Sequence, residues 1–238
     1  MRRMKAVVKE RPEAAKEWPK GLELVEKEIP EVKGAHEVKM RVIAAGICGT
    51  DVGIYNAKES LREEMSGIPT PNVTIGHEFC GKIVDAGSKA KRHLADLLIE
   101  KSKKSSLVRK FVRDRSATEL ARDKGLLNFL GKKFNSTAEM HVACGVCWQC
   151  RHGEKHVCRN TIIKGIQEDG GFADYVIVPA ENVVLFEEDE IPVEVIAFMD
   201  AIGNATHTVQ SVPIKGKTVA VLGCGVQGLM AIAVAKYS

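Results

Sequence analysis

The sequence has no long apolar run, although 45% of its 238 residues are hydrophobic. A transmembrane helix needs roughly 18 or more consecutive apolar residues, so the sequence predicts no membrane-spanning helix. The segment MRRMKAVVKERPEAAKEW also lacks the apolar core of a secretory signal, which predicts a cytoplasmic protein. With 28% charged residues, the chain has enough apolar residues for a core, in one large domain or two small ones.

The sequence also lacks the even set of cysteines that a disulfide framework needs. Four of its seven cysteines are bunched together, namely Cys144, Cys147, Cys150 and Cys158. Four thiolates at this spacing can surround a tetrahedral ion, and a last gap of seven residues differs from the iron–sulfur pattern. The spacing therefore predicts a structural zinc site, because four sulfur ligands leave no open position.

The net charge of +4 is unevenly distributed. Residues 89–133 contain 14 Lys and Arg but 5 Asp and Glu, whereas the rest of the chain carries a net charge of −5. The segment 88–137 lacks the alternation of a strand, and its pieces HLADLLIEK and SSLVRKFVRD show the helical period. We predict two or three amphipathic helices in it, with Gly125 and Gly131 as stops.

Short alternations of apolar and charged residues dominate the segments on both sides of this basic block. Residues 4–10 and 22–28 alternate in this way, and HEVKMRVIAAGIC, IGHEFCGKIVDAG and GFADYVIVPAENVVLF are also rich in β-forming residues. Short strands at this spacing predict a small β-barrel or sandwich.

The C-terminal segment follows another pattern. Residues 193–212 predict a helix, KTVAVLG (217–223) a buried strand and 226–236 an apolar helix, as at the start of a doubly wound α/β domain. The turn before the last helix is Gly-x-Gly-x-x-Gly, whose glycines allow a tight turn, close approach of a pyrophosphate and packing of helix on strand. The predicted dinucleotide contacts are Gly223, Gly225, Val226 and Gly228.

A second possible metal site is dispersed along the chain. Cys48 lies in GICGTD, and His77 and Glu78 lie in IGHE. A Cys and a His from separate strands can hold a zinc ion that keeps a position open for water or substrate. Considered alone, the residues favour the other alternative, in which Cys48 is a small buried hydrophobe and His77 a satisfied polar group.

In their order along the chain, GICGTD, IGHE, EMHVACGVCWQCRHGEKHVCRNT and VLGCGVQG resemble the zinc-dependent medium-chain alcohol dehydrogenases. GGFADYVIVPAEN and FMDAIGNATHTV are similar to the threonine 3-dehydrogenase branch, with polyol dehydrogenases as near neighbours. The resemblance covers residues 1–87 and 138–238. It implies a mixed α and β chain with these parts: a GroES-like β-barrel catalytic domain (1–190), a basic helical insertion (88–137), a structural zinc lobe (141–160) and the start of an NAD-binding Rossmann domain (191–238).

The resemblance implies oxidation of a secondary alcohol, threonine or a polyol, by hydride transfer to NAD or NADP. It also implies one structural and one catalytic zinc ion, and a homo-oligomeric full-length enzyme. The implied ligands of the catalytic zinc are Cys48, His77, Glu78 and Asp200. Thr50 would pass on the substrate proton, and His141 would line the substrate pocket.

Three features depart from that family. Gly53 stands where a histidine usually continues the proton path, and 88–137 contains no Gly-Asp-x-Val strand. The chain stops at Ser238, after the first strand and helix of the Rossmann domain and before the acidic residue that would distinguish NAD from NADP. We therefore expect a fragment without turnover of its own.

The basic block leaves two other interpretations open. Its charge suits phosphate contacts, so the chain could instead be a zinc-binding scaffold that binds nucleic acid. Against this, the block has few aromatic residues, and we do not favour nucleic acid as a partner. A disrupted gene would also produce such a stretch, and the sequence does not separate that from a genuine insertion.

Overall fold

The computed structural model describes residues 2–238. Its β-strands are β1 (Arg3–Glu10), β2 (Glu23–Glu28), β3 (Glu37–Gly46), β4 (Asn72–Thr74), β5 (Glu78–Ala86), β6 (Phe134–Ala138), β7 (His141–Val142), β8 (Ile162–Ile163), β9 (Tyr175–Pro179) and β10 (Val183–Glu187). Its α-helices are α1 (Gly49–Tyr55), α2 (Glu59–Ser66), α3 (Ser88–Ser102), α4 (Ser106–Val112), α5 (Ala117–Arg122), α6 (Leu126–Lys133), α7 (Trp148–Arg151), α8 (Val193–Ala197), α9 (Met199–Gln210) and α10 (Val226–Tyr237).

Two antiparallel sheets form the β part of the fold. The larger has the strand order β10-β6-β5-β3-β9, and the smaller has the order β2-β1-β4. An isolated bridge connects Ala6 on β1 to Ala173, two residues before β9 of the larger sheet. Six strands, β1, β2, β3, β5, β9 and β10, lie in the segments that the sequence predicts to be rich in strands. The predicted small β domain is confirmed.

Four helices, rather than two or three, follow β5. Their apolar faces pack on the larger sheet and share one core with Val38, Met40 and Ile83. The fully or nearly fully buried residues of these helices are Ala90, Leu94, Ala95, Leu98, Val108, Val112, Ala117, Leu120, Leu126 and Leu130. The basic segment is therefore part of the core of the domain and not an appendage to it.

The helical segment ends earlier than we predicted from the range 88–137. Residues 134–138 form β6, which pairs with β10 and is buried along its whole length. Gly131 does not stop a helix, because it lies inside α6. A Cβ at this position would come within 2.9 Å of the carbonyl oxygen of Ile83, so a glycine lets α6 pack closely on β5.

Part of the positive charge of the basic block faces carboxylates of the same chain. A cleft of about 520 Å³ is lined by Lys101, Lys104 and Lys133 together with the acidic residues 187–190. Three more of its basic side chains, those of Arg92, Lys103 and Arg115, form ion pairs with acidic residues within the block. The net charge of the basic block is therefore larger than the positive charge left free to contact another molecule.

The C-terminal segment differs from the prediction in two respects. The helix predicted at 193–212 is broken at Phe198 into α8 and α9. The strand predicted at 217–223 is wrong: these residues belong to no sheet, since none of the described strands lies beside them to accept a ladder of hydrogen bonds. The last predicted helix, 226–236, is confirmed as α10. Within residues 2–238, no helix is long and apolar enough to cross a membrane.

If the helical block belongs to the core, Leu98→Ala should lower the free energy of unfolding by about 2–5 kcal/mol, the usual result of removing a buried leucine side chain. Leu98 on α3 is fully buried. The matched control is Leu107→Ala on α4, where the side chain is 36% exposed and the expected loss is well under half as large. Urea denaturation followed by circular dichroism measures both, and equal small losses would contradict the packing.

Candidate metal centres and active-site cleft

The register of β3 on β5 brings the dispersed candidate ligands together. The two strands are antiparallel, and Gly46 at the end of β3 is paired with Glu78 at the start of β5. Cys48 follows Gly46 by two residues, and His77 directly precedes Glu78, so all three ligands lie at one edge of the sheet. A Cβ on residue 46 would lie 2.7 Å from Glu78 Oε2, which explains the glycine.

β6 and β10 contribute to the same edge. Thr137 near the end of β6 donates a hydrogen bond to the carbonyl oxygen of Phe79 on β5, at 2.6 Å. Ala138 is paired with Val183, the first residue of β10. The residues just beyond these strand ends therefore meet beside the metal ligands. A cleft of about 720 Å³ opens here, and its polar lining includes His77, Glu78, Glu139, His141, Asn182 and Asp200.

Cys48, His77 and Glu78 form a compact group. One ligand atom from each residue lies within 4.8 Å of the others, and His77 and Glu78 are buried. Burial raises the pKa of the Cys48 thiol and of the Glu78 carboxyl group, because it disfavours their charged forms. A thiolate, an imidazole and a carboxylate are common ligands of zinc, and three protein ligands leave a coordination position open. The residues present fit a catalytic zinc ion.

Asp51 is a member of this site that the sequence did not reveal. Its Oδ2 accepts a hydrogen bond from the backbone N–H of Cys48 at 2.8 Å, and its Oδ1 lies 3.7 Å from Nδ1 of His77. Both Oδ1 and Nδ1 are buried, and neither has a hydrogen-bond partner among the described residues. The carboxylate is placed to orient the imidazole. The available signal was the spacing of Cys48 and Asp51, which is that of a capping box at the start of α1.

Asp200 lies in the first turn of α9 and lines the same cleft, outside the three-residue group. Burial raises the pKa of its carboxyl group, and the negative charge of Asp200 contributes to the raised pKa of Glu78. Asn204, one turn further along the helix, donates a hydrogen bond to Asp200 Oδ2 at 3.2 Å. The role of Asp200 as a metal ligand stays a prediction.

Thr50 and Gly53 both lie on α1. The Thr50 hydroxyl oxygen is 3.8 Å from the Cys48 sulfur, so it adjoins the predicted metal site. Gly53 is buried, and a Cβ there would lie 2.8 Å from the Leu61 side chain. A larger residue at position 53 would therefore require the Leu61 side chain on α2 to shift.

The four clustered cysteines converge as the spacing predicts. Their sulfur atoms all lie within 4.8 Å of one another, with 3.4 Å between Cys147 and Cys150 and 3.8 Å between Cys147 and Cys158. Zn–S bonds of about 2.3 Å in a tetrahedron place sulfurs about 3.8 Å apart. Backbone N–H groups of Val146 and Cys147 lower the pKa of Cys144 to about 6, whereas burial raises the pKa of Cys150 to about 12. The four residues fit a closed structural zinc site.

The glycine-rich turn at 223–228 is a tight turn that leads into α10, although residues 217–223 before it form no strand. Gly223 has a φ of +111°, which favours glycine, and Gly225 is the N-cap of α10. A Cβ on Gly228 would lie 2.0 Å from the carbonyl oxygen of Gly223, so the third glycine is needed for the turn to meet the helix. Val226 opens α10 and is exposed. The turn leaves the helix N-terminus available to an anionic group.

The profile of the family described as "Alcohol dehydrogenase GroES-like domain" matches residues 34–97 and 132–188, together half of the chain. The chain belongs to this family. The two matched ranges are separated by 98–131, which contains most of the helical block. The second range begins just before β6, so this strand belongs to the family domain.

Curated relatives and solved structures agree with this assignment. The chain is 37% identical over 216 residues to the L-threonine 3-dehydrogenase of Caldanaerobacter subterraneus subsp. tengcongensis, with 91% of this chain and 50% of the relative covered. It is 35% identical to the L-threonine 3-dehydrogenase of Pyrococcus abyssi, with 92% and 50% covered. A short chain alcohol dehydrogenase from Escherichia coli CFT073, solved with NADH, is 27% identical with a TM-score of 0.63, and 98% and 53% of the two chains are covered. The chain thus spans about half the length of the curated relatives that it matches.

The pKa values of the cysteine cluster predict selective thiol labelling. In protein treated with a chelator, we expect iodoacetamide at pH 7 to modify Cys144 before Cys150, because the thiolate is the reactive form. With a pKa of about 6, Cys144 is mostly thiolate at pH 7, and its labelling should decline as the pH falls below 6. Peptide mass spectrometry measures the order of modification.

Zinc added before the reagent should protect all four cysteines of the cluster. Cys80 is the internal control, since it is fully buried and burial raises its pKa, so it should remain unlabelled. Modification of Cys150 ahead of Cys144 would contradict the assigned environments.

Proposed function

We propose that this chain contains the catalytic domain of a zinc-dependent dehydrogenase that oxidises a secondary alcohol with a nicotinamide cofactor. The observation that carries the proposal is the group formed by Cys48, His77 and Glu78 at the edge of an open cleft. Membership of the family supports the reaction class. The names of the relatives favour L-threonine as the substrate, with a polyol as the alternative.

A zinc ion held by Cys48, His77 and Glu78 would supply a Lewis acid that polarises an alcohol oxygen. The protein provides the orientation of these ligands. Asp51 fixes the start of α1 through the backbone N–H of Cys48 and faces the imidazole of His77. The Thr50 hydroxyl adjoins the ligand group and can accept and pass on the alcohol proton through its Oγ1.

The overall reaction converts an alcohol to a ketone. A nicotinamide cofactor, when bound, would accept a hydride from the carbinol carbon, and the hydroxyl would give up its proton. We assign the glycine-rich turn of Gly223, Gly225 and Gly228, with Val226, to the pyrophosphate of the cofactor, because the N-terminus of α10 attracts its charge. Relatives of known structure are bound to NADH in one case and to NADP in another, which supports a nicotinamide cofactor; we propose NAD, with NADP as the alternative.

The four-cysteine group is the second zinc site in this proposal, with a purely structural role. A chain with both sites intact should bind two zinc ions, and Cys48→Ser and Cys150→Ser should each remove one of them. Metal analysis of purified protein measures this stoichiometry. Equal zinc content in the wild type and the Cys48→Ser variant would contradict the catalytic site.

The proposed open coordination position is tested with cobalt in place of zinc, because Co²⁺ bound by a thiolate reports its ligands in the visible spectrum. Addition of L-threonine should change the spectrum of the wild-type protein and leave that of the Cys48→Ser variant unchanged, since that variant keeps only the closed four-cysteine site. Xylitol in place of L-threonine tests the polyol alternative. A spectrum that responds to neither alcohol would count against an alcohol substrate.

The orienting role of Asp51 leads to a separate prediction. Asp51→Asn keeps an oxygen that can accept the N–H of Cys48 but removes the charge that faces His77. We expect zinc affinity at the Cys48 site to fall about 10–100-fold, as is usual when a partner of a metal-bound histidine is replaced. Competition with a chromophoric chelator measures the affinity, and the four-cysteine site in the same sample is the control. An unchanged affinity would show that Asp51 only caps α1.

A further inference from the structure

Two histidines from distant segments of the chain come together at the cleft. His156 lies between the third and fourth cysteines of the four-cysteine group, and His207 lies on α9. Their ring centroids are 6.2 Å apart, with an angle of 49° between the ring planes. Both residues line the cleft of about 720 Å³. Because both are exposed, their ring nitrogens are accessible to a metal ion in solution.

The position of His207 follows from the helical period of α9. Asp200, Gly203, Asn204 and His207 are spaced so that they share one face of the helix, and all four line the cleft. Seven residues of helix separate Asp200 from His207, which is about 10 Å along the axis. The two histidines thus lie away from Asp200, the residue of α9 whose charge acts on Glu78.

The separation of the two rings allows both to bind one metal ion. With metal–nitrogen bonds of about 2.0–2.1 Å, two imidazoles on one ion have centroids at most about 6.4 Å apart, and about 5 Å apart at a tetrahedral angle. The observed separation of 6.2 Å is within the upper limit. Since both side chains are exposed, small changes in their torsion angles can bring the rings to the shorter distance.

The charge of the cleft favours a cation. Among the described residues that line it are four carboxylates, those of Glu78, Glu139, Glu181 and Asp200, and one ammonium group, that of Lys155. Lys155 is itself paired with Glu181 at 3.3 Å. Imidazole suits Zn²⁺, Ni²⁺ and Cu²⁺, whereas Mg²⁺ and Ca²⁺ prefer oxygen ligands. The histidine pair is therefore suited to a transition-metal ion.

We propose that His156 and His207 form a further metal site, which binds one Zn²⁺, Ni²⁺ or Cu²⁺ ion and links the four-cysteine segment to α9. Water molecules would complete the coordination of this ion. With two protein ligands, the site binds metal more weakly than the three-ligand and four-ligand sites, so it fills when metal is in excess. This inference is independent of the proposed alcohol oxidation.

The test titrates Ni²⁺ into zinc-loaded protein without a histidine tag, followed by isothermal titration calorimetry. We expect one Ni²⁺ per chain in the wild type. In His156→Ala and in His207→Ala the affinity should fall at least about tenfold, because removal of a ligand costs no less than replacement of its outer-shell partner. Zinc content measured after the titration checks that Ni²⁺ has not displaced zinc from the cysteines.

The matched control is His152→Ala, which should bind Ni²⁺ as the wild type does. His152 is also exposed and lies in the same cysteine segment, but its Nδ1 is 2.7 Å from the carbonyl oxygen of Trp148 and its ring is stacked on that indole. An equal loss of affinity in this control would overturn the proposal. So would Ca²⁺ binding as tightly as Ni²⁺, since that result would place the ion on the carboxylates.

The double variant His156→Ala/His207→Ala shows whether one ion uses both rings. If it does, the double variant should bind Ni²⁺ little more weakly than either single variant, because each single change already removes the bridge. Losses that add in the double variant would indicate two independent imidazole sites and would contradict the bridging ion. Binding that survives both substitutions unchanged would show that neither histidine is a ligand.

Discussion

The antiparallel register of four neighbouring strands brings the candidate metal ligands and the ends of β6 and β10 to one edge of the cleft. β3 ends, β5 begins, β6 ends and β10 begins at one edge of the larger sheet, as the pairs of Gly46 with Glu78 and of Ala138 with Val183 show. A shift of one residue in any of these pairings would turn the adjoining side chains to the opposite face. The ligands that lie far apart in the chain can therefore form a compact site only while the hydrophobic face of this sheet keeps its register.

The helices α3–α6 cover that hydrophobic face. The segment that lies mostly outside the matched family ranges is therefore packed against the sheet that carries the site. Its buried leucines and alanines pack on Val38, Met40 and Ile83 of the strands that carry the cleft. Three of its lysines, Lys101, Lys104 and Lys133, line one cleft together with the acidic residues 187–190 at the end of β10. A segment with a basic surface thus contributes to the core that packs on the sheet, and part of its charge lies near carboxylates of the same chain.

The sequence predicted those features that depend on local pattern. Alternation located the strands, the helical period located the basic helices, and motif spacing located the cysteine cluster and the glycine-rich turn. Features that depend on a partner far along the chain were missed. Gly131 looked like a helix stop because its close contact with Ile83 is absent from any local pattern. Asp51 was not singled out, since its role follows from the position of His77 in space.

The two proposed metal sites differ in their electrostatics. In the cysteine cluster, backbone N–H groups lower the pKa of Cys144 and of Cys147, whereas burial raises the pKa of Cys150. In and beside the cleft, burial raises the pKa of four acidic groups, Cys48, Asp51, Glu78 and Asp200. Desolvation of so many potential anions costs free energy that a bound divalent cation would offset. Metal binding at the cleft should therefore be coupled to the stability of this sheet edge as well as to chemistry, because the ion and the fold stabilise the same charged groups.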